Sequence, residues 1–357
     1  MSTPVASPED TPAVLRLAWR GGRPAMRIRQ AFAPRRWAVA LLRSPDLLLV
    51  LALSAALRLP ALGGTTFLDD QEELLALARS ALVHHALPVT GIRSSVGALS
   101  FPASIYLLLP FAALENPFWA ALFTALANVV ATGLLFQLTA RYAGRRAALV
   151  AGLLYATAAF PVYFSRFTWQ QNLLAPLVIL FFWSACRGTI EHKRGWLPWN
   201  LLLWGIATQL HASAAPLLAV TAYALALGWR QVRWRDLLIS GVVLVALWLP
   251  TLMWEVVSQG SDVTFYRAYS DAATVIDGDM LRALATVLVP FDTHTFGAAT
   301  PYARAYAFFS WTRPVVIALY AASVVWLVVA LRNRAVAWRA RRGSWATGSV
   351  PARFLLL

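Results

Sequence analysis

The sequence predicts an all-α, polytopic helical membrane protein, with about eight or nine transmembrane helices and juxtamembrane helices on the outer face. Three observations carry that expectation. Of 357 residues, 59% are hydrophobic and only 13% charged, whereas a water-soluble domain carries about 25% charged residues. Apolar stretches close to the ~20 residues needed to cross a bilayer recur along the chain. Between them, arginines cluster in short loops, as the positive-inside rule expects of cytoplasmic connections.

Taken in order, residues 1–44 are rich in arginine (Arg16, Arg20, Arg23, Arg27, Arg29, Arg35, Arg36, Arg43) and contain prolines. They read as a cytoplasmic tail able to lie on anionic lipid, not as a cleavable signal, which has a short basic region followed at once by an apolar core. The domain that follows, 45–357, holds the candidate spans 46–62, 118–140, 147–164, 172–187, 197–211, 213–229, 237–255 and 312–331. A ninth apolar run begins near Pro351 and stops at Leu357, which reads as a domain truncated at its C-terminal end. Residues 98–114 are apolar enough to cross. If they did, Arg141, Arg145 and Arg146 would face outward and every later loop would invert. With Pro102 and Pro110 they suit a short helix lying in the outer leaflet. The arginine clusters at 141–146, 187–194, 230–235 and 332–342 then share the cytoplasmic side. The outer side receives the loop 63–117, short turns near 165–171 and 211–213, and the long loop 256–311, with most of the acidic residues.

The net charge of +15 would suggest nucleic acid in a soluble protein. Here it belongs to the loops beside the spans and implies a membrane partner, with no nucleic acid. The single cysteine, Cys186, can form neither an intrachain disulfide nor a thiolate metal site, and reads as a small packing residue. The sequence has no Gly-rich phosphate loop, no G-x-S-x-G elbow and no H-E-x-x-H helix. The spans are nearly free of charge, whereas transporters carry ionisable residues in mid-span.

The chemistry-bearing residues gather on the outer side. Asp69 and Asp70, in Phe67-Leu68-Asp69-Asp70-Gln71-Glu72-Glu73 directly after the first span, form a carboxylate pair that can act as general base or bind a metal. The same residues also suit the start of an amphipathic helix running from Glu72 to His85, with Asp70 as its cap. Arg166, in Ser165-Arg166-Phe167-Thr168-Trp169-Gln170-Gln171-Asn172, can hold a phosphate through its planar fork or snorkel to the interface, with Trp169 as a belt anchor. His211 ends the fifth span in Gln209-Leu210-His211, where a structural hydrogen bond and a substrate contact both fit.

The order of these features resembles a known family. Leu57-Arg58-Leu59-Pro60 ends the first span, and Gly63, Phe67, the acidic pair, an amphipathic helix and a Pro-containing outer helix follow. Tyr163-Phe164-Ser165-Arg166 with Trp169 comes next, then Gly205 through Gln209-Leu210-His211. This is similar to the membrane glycosyltransferases of the C-type fold, specifically glycosyltransferase family 39, the relatives of protein O-mannosyltransferases and aminoarabinose transferases, over residues 46–331. The resemblance implies inverting transfer of a sugar from a polyprenyl-phosphate-linked donor to a lipid, glycan or protein acceptor, at the outer face of the plasma membrane. Asp69 or Asp70 would be the base, and Arg166 or a divalent cation would meet the leaving phosphate. Where relatives carry Asp-Glu this chain has Asp69-Asp70, so either can be the aligned carboxylate. Where many carry an acid after the Ser-Arg element it has Gln171 and Asn172, neutral amides that would bind substrate or metal. An apolar groove would hold the lipid tail, and the loop 256–311 would cap the site. A transporter or flippase of lipid-linked saccharides, without transferase chemistry, is the alternative.

Overall fold

A computed structural model describes residues 44–65, 67–94 and 97–272, together with helical positions scattered between 314 and 329. The expected tail 1–44 (but for its last residue), most of the expected span 312–331 and the terminal apolar run lie outside these residues, as does loop 256–311 beyond its first part. The described secondary structure is helical, with one isolated bridge between Arg93 and Leu99. In chain order the α-helices are α1 Pro45–Arg58, α2 Asp69–Val83, α3 Ala103–Ala112, α4 Pro117–Ala143, α5 Arg145–Thr157, α6 Ala159–Phe164, α7 Leu174–Thr189, α8 Trp196–Leu210, α9 Leu217–Gly228, α10 Trp234–Val257 and α11 Ser261–Ala272. Short 3-10 turns at Gln170–Leu173, Ala212–Ala214 and Trp229–Gln231 extend α7 and α9. Among the described residues, four segments are long and apolar enough to cross a membrane: Pro117–Ala143, Gln170–Thr189, Ala212–Gln231 and Trp234–Val257. The chain is thus a multi-pass, all-helical membrane protein.

Local sequence accounts for the boundaries. Residues 98–114 yield only the ten-residue α3, about 15 Å long, roughly half the ~30 Å hydrocarbon core. The expected span 147–164 is broken at Ala158, whose φ −59°, ψ 132° is extended. Pro161 lacks an N–H and would clash with the carbonyl four residues back, so the chain restarts as α6 with Pro161 in its first turn. Between α4 and α5 there is a single residue, Gly144, at φ +95°, a conformation that L side chains rarely adopt.

Small residues set the helix contacts, as they do where lipid supplies no hydrophobic drive between helices. A Cβ on Gly133 of α4 would lie 3.2 Å from Leu51 of α1, and one on Gly152 of α5 only 2.9 Å from Val50. Gly188 of α7 receives the Trp196 ring, with three ring atoms 2.4–2.5 Å from where a Cβ would be. Gly205 of α8 likewise admits Leu247 of α10 at 2.7 Å. α4 therefore packs on α1, α5 and α7, and α8 packs on α7 and α10.

Buried polar groups tie the helices together. Asn128 of α4 donates through Nδ2 to Thr124 O (3.0 Å) and Asn172 O (2.8 Å), and its Oδ1 accepts from the Tyr155 hydroxyl (2.9 Å). Asn200 of α8 donates to Phe181 O and Ser184 Oγ and accepts from Thr221 Oγ1 at 2.7 Å, joining α7, α8 and α9. Two arginines close helix ends. Arg58, fully buried in the last turn of α1, donates to Ala156 O and Tyr155 O, both at 2.8 Å, in the last turn of α5. Arg166 in turn donates to Leu57 O (3.1 Å), Arg58 O (3.2 Å) and Pro60 O (2.6 Å) at the end of α1. Helix C-termini expose unbonded carbonyls and carry a partial negative charge, which a guanidinium fork matches in number and sign.

The opposite end of the bundle is basic, and the described acids there are paired. Glu191 accepts from Arg141 and from the Tyr142 hydroxyl, both at 2.5 Å, Asp46 pairs with Arg145, and Asp236 with Arg233 at 3.0 Å. Burial alone would raise the Glu191 carboxyl, but the hydrogen bonds from Arg141 and Tyr142 outweigh it and hold the group below its ordinary 4.5. A depressed carboxylate contributes stability that is present above the unfolded pKa and lost as pH falls through the folded one. Glu191→Gln should therefore be less thermostable than wild type at pH 7, with the gap closing as pH is taken well below 4.5. Arg166→Leu strands three carbonyls and should destabilise the detergent-solubilised protein by about 3 kcal/mol or more, with Arg166→Lys recovering only part. Gly188→Ala should lower the melting temperature by a repacking cost of about 1–3 kcal/mol. Gly241→Ala, with open space around it, should be tolerated, and fluorescence-detected size-exclusion after heating reads all five.

Candidate functional site

Asp69 and Asp70 are the first two residues of α2. The expected cap at Asp70 is shifted: Leu68 occupies the cap position, and its N–H donates to Gln71 Oε1 at 2.5 Å. Gln71, Leu74, Ala78 and Ala81 form the buried stripe of α2, with the i, i+3, i+7 spacing of one helix face. Leu74 and Ala78 join Ile92, Ile105, Leu108 and Ala112 in one core cluster. With that face fixed against α3, Asp69, Asp70, Glu72 and Glu73 are left exposed. Neither Asp69 nor Asp70 has a hydrogen-bond or ion-pair partner among the described residues. Both carboxylates sit where the partial positive charge of a helix N-terminus favours them. The pair is thus rigidly mounted and open.

The segment 165–173 is anchored to the same end. Trp169 packs against the α2–α3 cluster and lies in an aromatic group with Phe164 and Phe167, so it is an internal anchor and not a belt residue. Arg166 is buried, with its guanidinium on the α1 carbonyls, which meets neither the snorkelling expectation nor, directly, that of a phosphate ligand. Asn172 donates to Phe167 O at 3.0 Å, holding the turn closed, while Gln171 beside it is half-buried. His211 follows α8, and its Nδ1 accepts from Ser213 N–H (3.2 Å) with the Ser213 hydroxyl at 2.7 Å. An Nδ1 that accepts places the proton of the neutral ring on Nε2.

These residues share one end of the bundle: the ends of α1, α5 and α8, the starts of α2 and α7. Asp69 and Asp70 stand on α2, while Arg166, Gln171 and Asn172 form a second group behind Trp169. Among the described residues, no three of His, Cys, Asp and Glu come together as a metal-binding group. The first part of the long loop, α11, is tied down at this end as well. Asp262 accepts from Trp254 Nε1 (3.0 Å) and from Leu99 N–H (3.4 Å), and Phe265 covers Gly97. An apolar groove of about 550 Å³ opens between α4, α5 and α7, lined by Leu135, Leu138, Tyr155, Val178, Ile179 and Phe182.

Asn128 and Asn200 carry no charge, so the distribution of charge along the spans does not single them out. A neutral amide in mid-span is itself a signal, since it must find partners there.

Residues 97–254 match the family model of the dolichyl-phosphate-mannose-protein mannosyltransferases. The match takes in α3 to nearly all of α10 and leaves Asp69 and Asp70 upstream. Among solved structures the chain is similar to that of ArnT from Cupriavidus metallidurans bound to undecaprenyl phosphate, at 21% identity and a TM-score of 0.43. That similarity covers 65% of this chain and 44% of the other, so the chain spans less than half the length of that relative. No curated protein matches. The resemblance read from the sequence is borne out by the family match over residues 97–254.

Proposed function

We propose that the chain is an inverting membrane glycosyltransferase that moves a sugar from a polyprenyl-phosphate carrier to a hydroxyl of a lipid, glycan or protein acceptor. The observation that carries this reading is the match of residues 97–254 to a family described as transferring mannose from dolichyl phosphate. The geometry supports it with an exposed, rigidly mounted carboxylate pair at one end of an apolar bundle. The arginine clusters at the other end favour placing that end in the cytoplasm. The acidic end then faces outward from a plasma membrane.

In the reaction, Asp69 or Asp70 accepts the proton of the acceptor hydroxyl as its oxygen attacks the anomeric carbon. The new C–O bond forms opposite the breaking bond to phosphate, so configuration inverts and free polyprenyl phosphate departs. Donors and positive charge near the phosphate stabilise the charge that develops on leaving. The Nε2–H of His211 and the amides of Gln171 and Asn172 are the neutral candidates for that contact. Arg166, engaged with carbonyls, contributes by position: it holds the end of α1 and so the approach to α2. The groove between α4, α5 and α7 offers an apolar bed for an isoprenoid tail, and α11 begins the cap that keeps water from hydrolysing the donor.

Wild type and the single variants Asp69→Asn and Asp70→Asn, in proteoliposomes with labelled polyprenyl-phosphate sugars, test this. One variant should lose transfer by about 10²- to 10⁴-fold, with carrier release and acceptor labelling falling together. Movement of lipid-linked saccharide across the bilayer without any transfer, unaffected by either substitution, would establish the transporter instead.

A further inference from the structure

Buried polar atoms in folded proteins nearly always have partners, and the mid-bundle amides obey this: Asn128 and Asn200 each make three hydrogen bonds. At the acidic end a group of atoms does not. Gln209 and Ser104 are each 2% exposed and Gln170 is 8% exposed. Gln209 Nε2, Ser104 Oγ, Gln170 Oε1 and Thr251 Oγ1 have no hydrogen-bond partner among the described residues. Glu255 Oε2 and Ser258 Oγ continue the series. Such atoms, left dry and unpaired, carry a desolvation penalty, so a cluster of them at one end points to an occupant.

Helix register brings them together. α8 and α10 pack with Gly205 against Leu247 and Leu244, and Trp204 stacked on Trp248 at 6.5 Å. Both helices run toward the acidic end, so Gln209 and Thr251, each four residues past Gly205 and Leu247, come level. Thr251 and Glu255, at i and i+4, share one face of α10, and Ser258 caps its end. Phe101 meets Trp248 edge-on at 5.0 Å, which places the start of α3, and Ser104 one turn on, beside the same two helices. The 3-10 turn that begins with Gln170 also packs on α8. This register places Gln209, Thr251 and Ser104 about one turn beyond Trp204, Trp248 and Phe101, whose rings meet one another.

We propose that this is the seat of the sugar ring of the donor. The proposal rests on the transferase reading and deepens it. The set comprises an amide N–H, an amide oxygen, three hydroxyls that both give and take, and one carboxylate at its rim. It offers no cation, so it does not suit a phosphate, and it is too polar for a lipid tail. Alternating donors and acceptors next to aromatic faces match a pyranose, whose hydroxyls need both and whose C–H face stacks on aromatic rings. A site built to hydrogen-bond hydroxyls rejects a ligand lacking them, because its own groups are then stranded.

The test measures binding of undecaprenyl phosphate carrying mannose, or another hexose from a panel, against bare undecaprenyl phosphate. Wild type, Gln209→Leu, Thr251→Val and the double variant are compared, with thermal stability followed in parallel. Wild type should prefer one glycosylated carrier by about 10-fold or more. The double variant should lose that preference, with binding of the bare carrier unchanged. Because the atoms have no protein partner, the folded protein should be as stable or more so. A wild type with no preference for, and no turnover of, any glycosylated carrier would sink the transferase reading itself. A wild type that discriminates while the double variant discriminates equally, or a double variant that melts well below wild type, would overturn the seat alone.

Discussion

A relay of two arginines fixes the geometry at the acidic end. Arg166 holds the last carbonyls of α1, and Arg58, in that same last turn, holds the last carbonyls of α5. Each helix end is closed by a fork supplied from elsewhere in the chain, and the two closures share α1. A buried guanidinium is expensive to desolvate, and it is retained here because several carbonyls and two helix dipoles face it at once. The chain leaves α1 at Pro60 and reaches the acidic start of α2 nine residues later. Whatever fixes the end of α1 thereby sets where the carboxylates emerge. The loop that carries Arg166 is itself held by Asn172, whose carbonyl is held by Asn128 of α4. Position is thus transmitted from the middle of the bundle to its acidic end through buried and part-buried hydrogen bonds.

Much of this architecture is legible in the sequence. Apolar runs at 118–140, 172–187, 197–211, 213–229 and 237–255 all appear as helices within a few residues of the expected limits. Prolines and arginine clusters foretell that 98–114 is a short helix. Hydropathy reports a one-dimensional property, and crossing a bilayer is close to a one-dimensional problem. The break at Ala158 follows from Pro161, but the uniform apolarity around it makes 147–164 read as one span.

The partners of the polar residues are a different matter. Arg166 meets carbonyls more than a hundred positions earlier, and no periodicity encodes a contact of that range. Its residue type fits a phosphate as well as a helix end, because both present oxygens to the same planar fork. Asp69 and Asp70 were legible as exposed acids because they depend only on the local pattern of α2, in which Gln71, Leu74 and Ala78 must face inward. Gln209 and Thr251, on parallel helices 42 residues apart, come level only through the interlock of Gly205 with Leu247.

The junction at Gly144 has a consequence for how the protein is made. α4 and α5 are separated by one residue, so there is no slack with which to thread the two helices across a membrane one after the other. The pair is joined as a tight hairpin, with Arg141, Arg145 and Arg146 crowded at its bend; in the orientation proposed above, these are the charges that stay on the cytoplasmic side. The topology of the rest of the chain is then counted from this hairpin, and the first commitment to sidedness after α1 is made by a glycine.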